Sequence, residues 1–195
     1  MTDLDAAAQK AKHPGDAILQ LRITLADVAD PPVWRRVLIP SAYPLDRVHR
    51  VIQATMGWQD YHLHAFRLGD ATYAAADPDD DEMGYLDETM FRFGDLVAGA
   101  DRIDYKYDFG DGWEHALVVE ARAVAEDGAV YPACIAGEGA CPPEDCGGSH
   151  GFAQFKAVLA GPPGTERDEL MAWAGGDYDP GRFDVSAANA AVSAV

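Results

Sequence analysis

Two histidines stand two positions apart in residues 61–68, where alternating apolar and polar residues predict a β-strand. Side chains two apart on a strand emerge on one face, so we expect His62 and His64 side by side, at a spacing that zinc sites use. Two ligands do not complete such a site. A third would have to come from elsewhere, for example from His115 or from a carboxylate. The alternative is a structural role for both imidazoles at the start of the strand.

Residues 105–115, YKYDFGDGWEH, combine aromatic, acidic and imidazole side chains around two glycines. Their alternation predicts a β-hairpin with a three-residue loop at residues 110–112, in which Gly112 adopts the left-handed conformation. This register pairs Phe109 with Trp113 and Tyr107 with His115. It therefore predicts one aromatic face on the hairpin.

The same register sets Asp108 opposite Glu114, with Asp111 at the loop tip, so we expect three carboxylates to converge. Such a cluster could raise the pKa of one carboxyl for acid–base chemistry, or it could bind a hard cation. The alternative is that these are solvated turn residues, with Asp108 accepting from its own turn amides. His115 is expected to be a packed core histidine. His49, at the rim of a helical apolar stripe, is expected to be a half-buried hydrogen-bonding residue.

A third candidate lies in residues 134–150, CIAGEGACPPEDCGGSH, which hold three thiols and an imidazole. The number and types of ligands in a Cys₃His zinc site are matched by Cys134, Cys141, Cys146 and His150, but their spacing lacks the C-x-x-C knuckle. The alternative is that the cysteines are small buried residues in a rigid loop. Glu144 and Asp145 would then bond the amides of that loop. A reactive thiol is a further option, although no base for it is identifiable.

The elements that must position these residues begin with two strands. Residues 17–25 alternate apolar and polar side chains, which predicts a half-buried strand that ends at residues 30–32. Residues 33–39 predict a second strand paired with the first. We expect the second strand at a sheet edge, because Pro32 and Pro40 cannot donate to a ladder.

A helix follows these strands. Apolar residues recur at helical spacing, with Pro44 suited to the first turn and Gly57 to the C-terminal cap. The members of this apolar stripe are Leu45, Val48, Ile52 and Met56.

The rest of the chain is predicted to end in helices. Residues 77–88 are an acidic, apolar-poor segment and predict a loop. Residues 131–151, dense in Gly, Pro and Cys, predict a long ordered or metal-bound loop rather than a regular element. Three helices are expected after it, capped by Ser149, by a capping box at Thr165 and by Asp184.

This order of elements predicts an α+β fold. We expect a largely antiparallel sheet, with one helix after the first two strands and a C-terminal helical segment packed on it. Residues 1–16 lack an apolar face and are interpreted as a flexible leader, and residues 17–195 as a single domain.

Composition limits the range of partners. A net charge of −18 repels phosphate backbones and anionic membrane surfaces, so nucleic acid is a disfavoured partner. High negative charge also serves solubility alone. We find neither a run of about 20 apolar residues nor a signal-peptide pattern, and we expect a cytoplasmic protein without membrane contact. An odd cysteine count fits a reducing compartment. The sequence has no P-loop, Rossmann glycine fingerprint, nucleophile elbow or HExxH motif.

Several separated motifs together resemble one family, that of Ri-plasmid Orf-three-like proteins, which includes insertion-element passenger proteins named TnpR-like. The motifs are PPVWRRVLIP, LDRVHRVIQATMGWQDYHLHAF, YKYDFGDGWEHALVVE, YPACIAGEGACPPEDCGGSHGF and FDVSAANAAV. The resemblance runs from about residue 18 to residue 192. It implies an α+β fold and an association with plasmids and transposable elements, without an established biochemical activity.

The resemblance also implies a shared functional surface. Its residues are His49, Trp58, His62, His64, Asp108, Asp111, Trp113, His115, Glu144, Asp145, Gly147 and Gly148. The TnpR-like name would point to a resolvase. A serine recombinase, however, needs a nucleophilic serine among arginines, and Ser41 and Ser149 have no such setting.

Three hypotheses follow. The first is a non-enzymatic accessory module of a mobile element that binds a protein or small ligand through the hairpin and the Pro-Pro-Glu-Asp loop. The second is a metal-dependent, hydrolytic enzyme that uses the histidines and carboxylates, and zinc or another divalent metal would be its cofactor. The third is a nucleic-acid-associated factor. It would need a basic patch, and the only candidates are Arg35, Arg36, Arg47 and Arg50.

Overall fold

One eight-stranded sheet organises the part of the protein that can be described. The structure is a computed structural model that describes residues 17–76 and 84–195, so the expectations for residues 1–16 and for most of the acidic loop lie outside the described residues. The strands are β1 Ala17–Leu25, β2 Trp34–Pro40, β3 His64–Leu68, β4 Ala71–Ala74, β5 Leu86–Asp87, β6 Arg102–Tyr107, β7 Trp113–Val124 and β8 Ala133–Glu138.

The strand order across the sheet is β5-β4-β3-β6-β7-β1-β2-β8. Every neighbouring pair is antiparallel except β4 and β5. The predicted α+β class with a largely antiparallel sheet is confirmed. The predicted pairing of the first two strands is also confirmed, with Leu21 opposite Val37.

The prediction that the second strand lies at an edge is wrong. Strand β2 lies between β1 and β8, and β8 forms within residues 131–151, where we expected no regular element. The prolines do not prevent this pairing, because Pro32 precedes the strand and Pro40 is its last residue. The many Gly and Pro residues of the 131–151 segment are the reason that β8, a short edge strand, was not predicted.

The predicted hairpin exists, but its register is wrong. Tyr107 pairs with Trp113, Tyr105 with His115 and Lys106 with Glu114, so the loop spans residues 108–112. The shift is even, and the aromatic face therefore survives. Phe109 leaves that face and is 42% exposed. Glu114 forms an ion pair with Lys106 at 3.3 Å and does not face Asp108, so the predicted convergence of three carboxylates does not occur.

Five α-helices occur in residues 17–76 and 84–195. They are α1 Leu45–Met56, α2 Phe93–Leu96, α3 Gly148–Ala160, α4 Thr165–Trp173 and α5 Val185–Val192. Helix α1 is confirmed together with its left-handed cap, since Gly57 has φ 89° and donates to Gln53 O. Pro44 precedes this helix at the N-cap.

The later helix starts were predicted with mixed success. Asp184 caps α5, because its carboxylate accepts from two backbone N–H groups of the first turn, at 2.8 and 3.0 Å. Helix α3 is preceded by Gly147 rather than capped by Ser149. Helix α4 begins at Thr165 itself, after Gly164, so the predicted capping box does not form.

The core lies against one face of the sheet. Buried residues alternate along β1, β2, β6 and β7, and helices α1, α3 and α5 contribute buried side chains to the same apolar cluster. The opposite face keeps half-buried polar side chains such as Gln20 and Arg22. None of the described helices is long and apolar enough to cross a membrane.

Candidate functional site

The hairpin tip, the start of β3 and the Pro-Pro-Glu-Asp loop meet at one imidazole. His62 Nε2 lies 3.2 Å from Asp145 Oδ1, 3.6 Å from Asp108 Oδ2 and 3.9 Å from Glu144 Oε2. We call these four residues the His62 cluster. Ligand atoms of its members His62, Asp108 and Asp145 all lie within 4.8 Å of one another. Three carboxylates therefore surround one nitrogen.

Two atoms of the His62 cluster are buried without a hydrogen bond among the described residues. They are His62 Nε2 and Glu144 Oε2. Buried polar atoms in native proteins are nearly always paired, and an unpaired one costs about 1 to 3 kcal/mol. These two atoms therefore have capacity for a further hydrogen bond or ligand.

Asp108 is held in place by the turn that it organises. Its Oδ1 accepts from Gly110 N at 2.9 Å and from Asp111 N at 3.2 Å, which is the turn role expected as the alternative for this residue. Its backbone is left-handed, with φ 53°, and its side chain is only 9% exposed. Because Oδ1 serves the turn, Oδ2 is left to face His62.

Glu144 is fixed through its other oxygen. Its Oε1 accepts from Gln59 N at 2.9 Å and from the Tyr107 hydroxyl at 3.1 Å. The same hydroxyl accepts from Tyr61 N at 3.1 Å. Burial, and then the neighbouring Glu144 carboxylate, raise the pKa of Tyr107 well above its ordinary value, so the phenol stays a donor.

The loop and the hairpin are joined by close backbone contacts. Gly147 N donates to Asp111 Oδ2 at 3.0 Å. Gly148 has φ 67°, and a Cβ there would collide with Asp111 O. Asp145, next to this junction, is left-handed with φ 57° and is 72% exposed. It forms the solvent side of the cluster.

His49 and His64 form a separate pair. Their rings stack with centroids 3.4 Å apart. His49 Nε2 lies 2.8 Å from Asp60 Oδ1, and His64 Nε2 lies 2.9 Å from the buried Glu88 carboxylate. His62 and His64 therefore do not share a site, because His62 precedes β3 and its side chain enters the other cluster.

His115 lies in the aromatic core. It is 2% exposed, its Nδ1 lies 3.0 Å from Trp113 O, and burial lowers its pKa to about 4. Trp113 is also buried, and the Trp58 ring packs edge-on against His115. Trp58 Nε1 donates to Pro142 O at 3.0 Å, which fixes the Pro-Pro-Glu-Asp loop to the end of α1. These three residues support the His62 cluster without entering it.

The cysteine set is not assembled as a metal site. In the described part of the chain, no group of three ligand atoms within 4.8 Å includes Cys134, Cys141, Cys146 or His150. His150 instead pairs with Gln154 at 2.9 Å. Burial raises the pKa of Cys146 to about 12, and it also raises the pKa values of Cys134 and Cys141, so the thiols are protonated at neutral pH.

A cleft adjoins the His62 cluster. Its volume is about 450 Å³, and it shares Glu144 and Asp145 with the cluster. Trp58, Trp173 and Tyr178 contribute aromatic surface to it. Carboxylates at the edge of an aromatic cleft can position a small polar ligand.

The four arginines considered for a basic patch all have intramolecular partners. Arg35 is buried, Arg36 forms an ion pair with Glu120 at 2.6 Å and Arg50 with Asp46 at 2.6 Å. Arg47 lies over the Tyr43 ring, 4.2 Å from its centroid. These side chains do not form one exposed cationic surface.

The sequence analysis missed residues that hold the His62 cluster and the His49–His64 pair in place. Tyr107, Gln59, Asp60 and Glu88 were not singled out, although each bonds a candidate residue. Gln59 acts through its backbone, and Glu88 is far from His64 along the chain, so no local spacing marks them. The aromatic alternation around Tyr107 did place its side chain on the correct face.

Comparisons with known proteins agree with the resemblance drawn from the motifs. Residues 17–187 match the family described as plasmid pRiA4b ORF-3-like protein. The uncharacterized protein y4hQ of Sinorhizobium fredii (strain NBRC 101917 / NGR234) is 37% identical over 179 residues, which cover 90% of this chain and 91% of that protein. The crystal structure of MM3350, a protein of unknown function from Methanosarcina mazei Go1, matches with a TM-score of 0.79 at 30% identity, covering 87% of this chain and 96% of that one. The chain belongs to the plasmid pRiA4b ORF-3-like family.

Proposed function

We propose that the protein is a metal-dependent ligand-binding module. The His62 cluster holds a divalent cation, and the adjoining aromatic cleft receives a small polar ligand or a side chain of a partner protein. The hairpin and the Pro-Pro-Glu-Asp loop together form this surface, as the binding-module hypothesis requires.

One observation carries the proposal. Three carboxylate oxygens lie 3.2 to 3.9 Å from His62 Nε2, and that nitrogen has no hydrogen bond among the described residues. Ligands about 2.0 to 2.2 Å from one ion are roughly 3 to 3.5 Å from each other, so Asp145 lies at that spacing from His62 Nε2, and Asp108, at 3.6 Å, lies just beyond it. A dication also relieves the mutual repulsion of the carboxylates.

The donor set narrows the choice of ion. Imidazole nitrogen suits zinc and other late transition metals, whereas carboxylate oxygens suit magnesium, calcium and manganese. His62, Asp108 and Asp145 offer one imidazole and two carboxylates, which favours Zn²⁺ or Mn²⁺ over Mg²⁺. Hydrogen bonds to the loop residues support this site. Asp108 and Glu144 are each fixed through the carboxylate oxygen that faces away from His62.

The test is calorimetric titration of metal-stripped protein with Zn²⁺ and with Mn²⁺. We expect one ion per chain, and at least about tenfold weaker binding in Asp145→Asn, since a carboxylate ligand is lost while asparagine tolerates the left-handed backbone.

Asp27→Asn is the matched control. Asp27 is exposed with φ 57°, and it lies outside the cluster, so its substitution should leave the affinity unchanged. Failure of the wild-type protein to bind either ion, or equal affinities in the two variants, would disprove the metal site.

Metal-assisted hydrolysis is the second candidate. It is favoured by the cleft beside the cluster, since a water on the ion could reach a ligand bound there. Metal-loaded protein should then turn over chromogenic phosphoesters or carboxylic esters, and His62→Gln should abolish the turnover. Metal binding without turnover would leave the binding module as the function.

A further inference from the structure

Arg35 is a buried cation on β2. Its side chain is fixed on three sides, with Nε donating to Thr55 O at 2.9 Å and Nη1 donating to Trp34 O and Glu138 O at 2.8 Å. The residue is 2% exposed. A guanidinium has five N–H donors, and Nη2 makes no hydrogen bond among the described residues. It is not one of the fully buried unpaired atoms, so it remains accessible.

No carboxylate of the described residues lies within 4.0 Å of the Arg35 nitrogens. The ionisable groups that act on it most strongly are the thiols of Cys141 and Cys134 and the phenol of Tyr178. Burial raises the pKa of each of these groups, so all three are neutral at neutral pH. No negatively charged group among the described residues therefore neutralises Arg35, and its charge is met by carbonyl oxygens and an aromatic ring, which is costly in a buried position.

Arg35 lines a cleft of about 330 Å³ between β2, α1 and α5. A second arginine, Arg182, lines the same cleft, and its own partner Asp177 is outside the lining. The one carboxylate in the lining is that of Asp184, whose Oδ1 is occupied by the first-turn amides of α5. Phe183 lies over the guanidinium, 4.1 Å from its central carbon. The Phe183 ring occupies space that a side chain at position 137 would fill, and the glycine at that position leaves this space open.

We propose that this cleft binds a small oxyanion, a carboxylate or a phosphate, through the unpaired Nη2 of Arg35, with Arg182 at the rim. A planar guanidinium held by three carbonyls is preorganised for an oxyanion, and the anion supplies the missing negative charge. The site shares no residue with the His62 cluster, so it does not depend on the metal proposal.

The test is calorimetric titration of metal-stripped protein with sodium phosphate and with sodium acetate, with sodium chloride at equal ionic strength as the reference. Saturable heat of binding with phosphate or acetate that is absent from the chloride titration supports the proposal. Phosphate alone would identify a phosphate-bearing ligand, and acetate alone a carboxylate. No saturable binding of either would overturn it.

Arg35 variants risk unfolding the protein, so the decisive variant is Ala187→Leu. Ala187 is an exposed residue of α5 in the cleft lining, and leucine there fills the cleft while Arg35 stays intact. We expect the affinity to fall at least about tenfold. Ala190→Leu is the control, because Ala190 is exposed on the same helix and outside the lining. Equal binding by Ala187→Leu and wild type would also overturn the proposal.

Discussion

The imidazole rings of His49 and His64 stack face to face, with centroids 3.4 Å apart and an angle of 2° between their planes. Each ring has its own carboxylate, Asp60 for His49 and Glu88 for His64. Burial, and then the proximity of His64, lower the pKa of His49 to about 4. The stack joins α1 to β3, so its protonation matters for stability.

The first prediction concerns pH. His49 and His115 both have a folded-state pKa of about 4, below the ordinary value of 6.5, so the unfolded chain binds protons first as the pH falls. The stability is complete above about pH 6.5 and is lost progressively towards pH 4, by up to about 3 kcal/mol for each residue. Urea denaturation at about pH 7.5 and about pH 4.5 measures this loss.

The His115→Phe variant isolates one of the two contributions. It lacks one titrating group, so the fall in unfolding free energy between the two pH values should be smaller than in wild type by about 3 kcal/mol or less. An identical pH dependence in wild type and variant would show that His115 does not contribute.

The second prediction concerns the phenol that fixes Glu144. Tyr107→Phe removes the donor to Glu144 Oε1, so the carboxylate loses its orientation and Zn²⁺ or Mn²⁺ binding should weaken by about 10- to 100-fold. Tyr105→Phe is the matched control, because it removes a buried hydroxyl from the same face of β6 that bonds His49 and Gln53 instead. Calorimetric titration should show unchanged affinity for this control. Equal losses would argue for a general packing effect.

The third prediction tests the joint between loop and hairpin. Gly148→Ala should destabilise the fold by about 1 to 3 kcal/mol, because φ is 67° and the added Cβ meets the Asp111 carbonyl. Gly99→Ala, where a Cβ has nothing within 4 Å and φ is not positive, should change the unfolding free energy by less than about 0.5 kcal/mol. Thermal or urea unfolding of both variants gives the comparison. A neutral Gly148→Ala would contradict the close approach.

The fourth prediction concerns the three cysteines. Their pKa values are raised by burial, and the thiolate is the reactive form, so Ellman's reagent should label native protein slowly at about pH 8. After unfolding in guanidinium, all three thiols should react at the rate of free cysteine. Fast labelling of one thiol in native protein would identify the reactive cysteine that the sequence left open.

Local patterns were sufficient for much of this fold. Periodicity predicted the apolar stripe of α1 and the alternation of β1. Capping chemistry predicted the ends at Gly57 and Asp184, because it depends on neighbouring residues alone. The register of the hairpin did not follow. A loop of three residues and one of five preserve the same aromatic face, and the larger loop is selected by the bonds of Asp108 to its own turn and to Leu63 O.

The sequence by itself determined the family, the α+β class and the candidate residues, because these depend on residue types, short-range spacing and motif order. Only the tertiary structure decided which residues meet. It separated His62 from His64, brought Glu144 and Asp145 rather than Glu114 to His62, and placed Arg35 in the core. The physical reason is that these contacts join residues far apart along the chain, brought together by sheet pairing and core burial, and local spacing carries no information about such contacts.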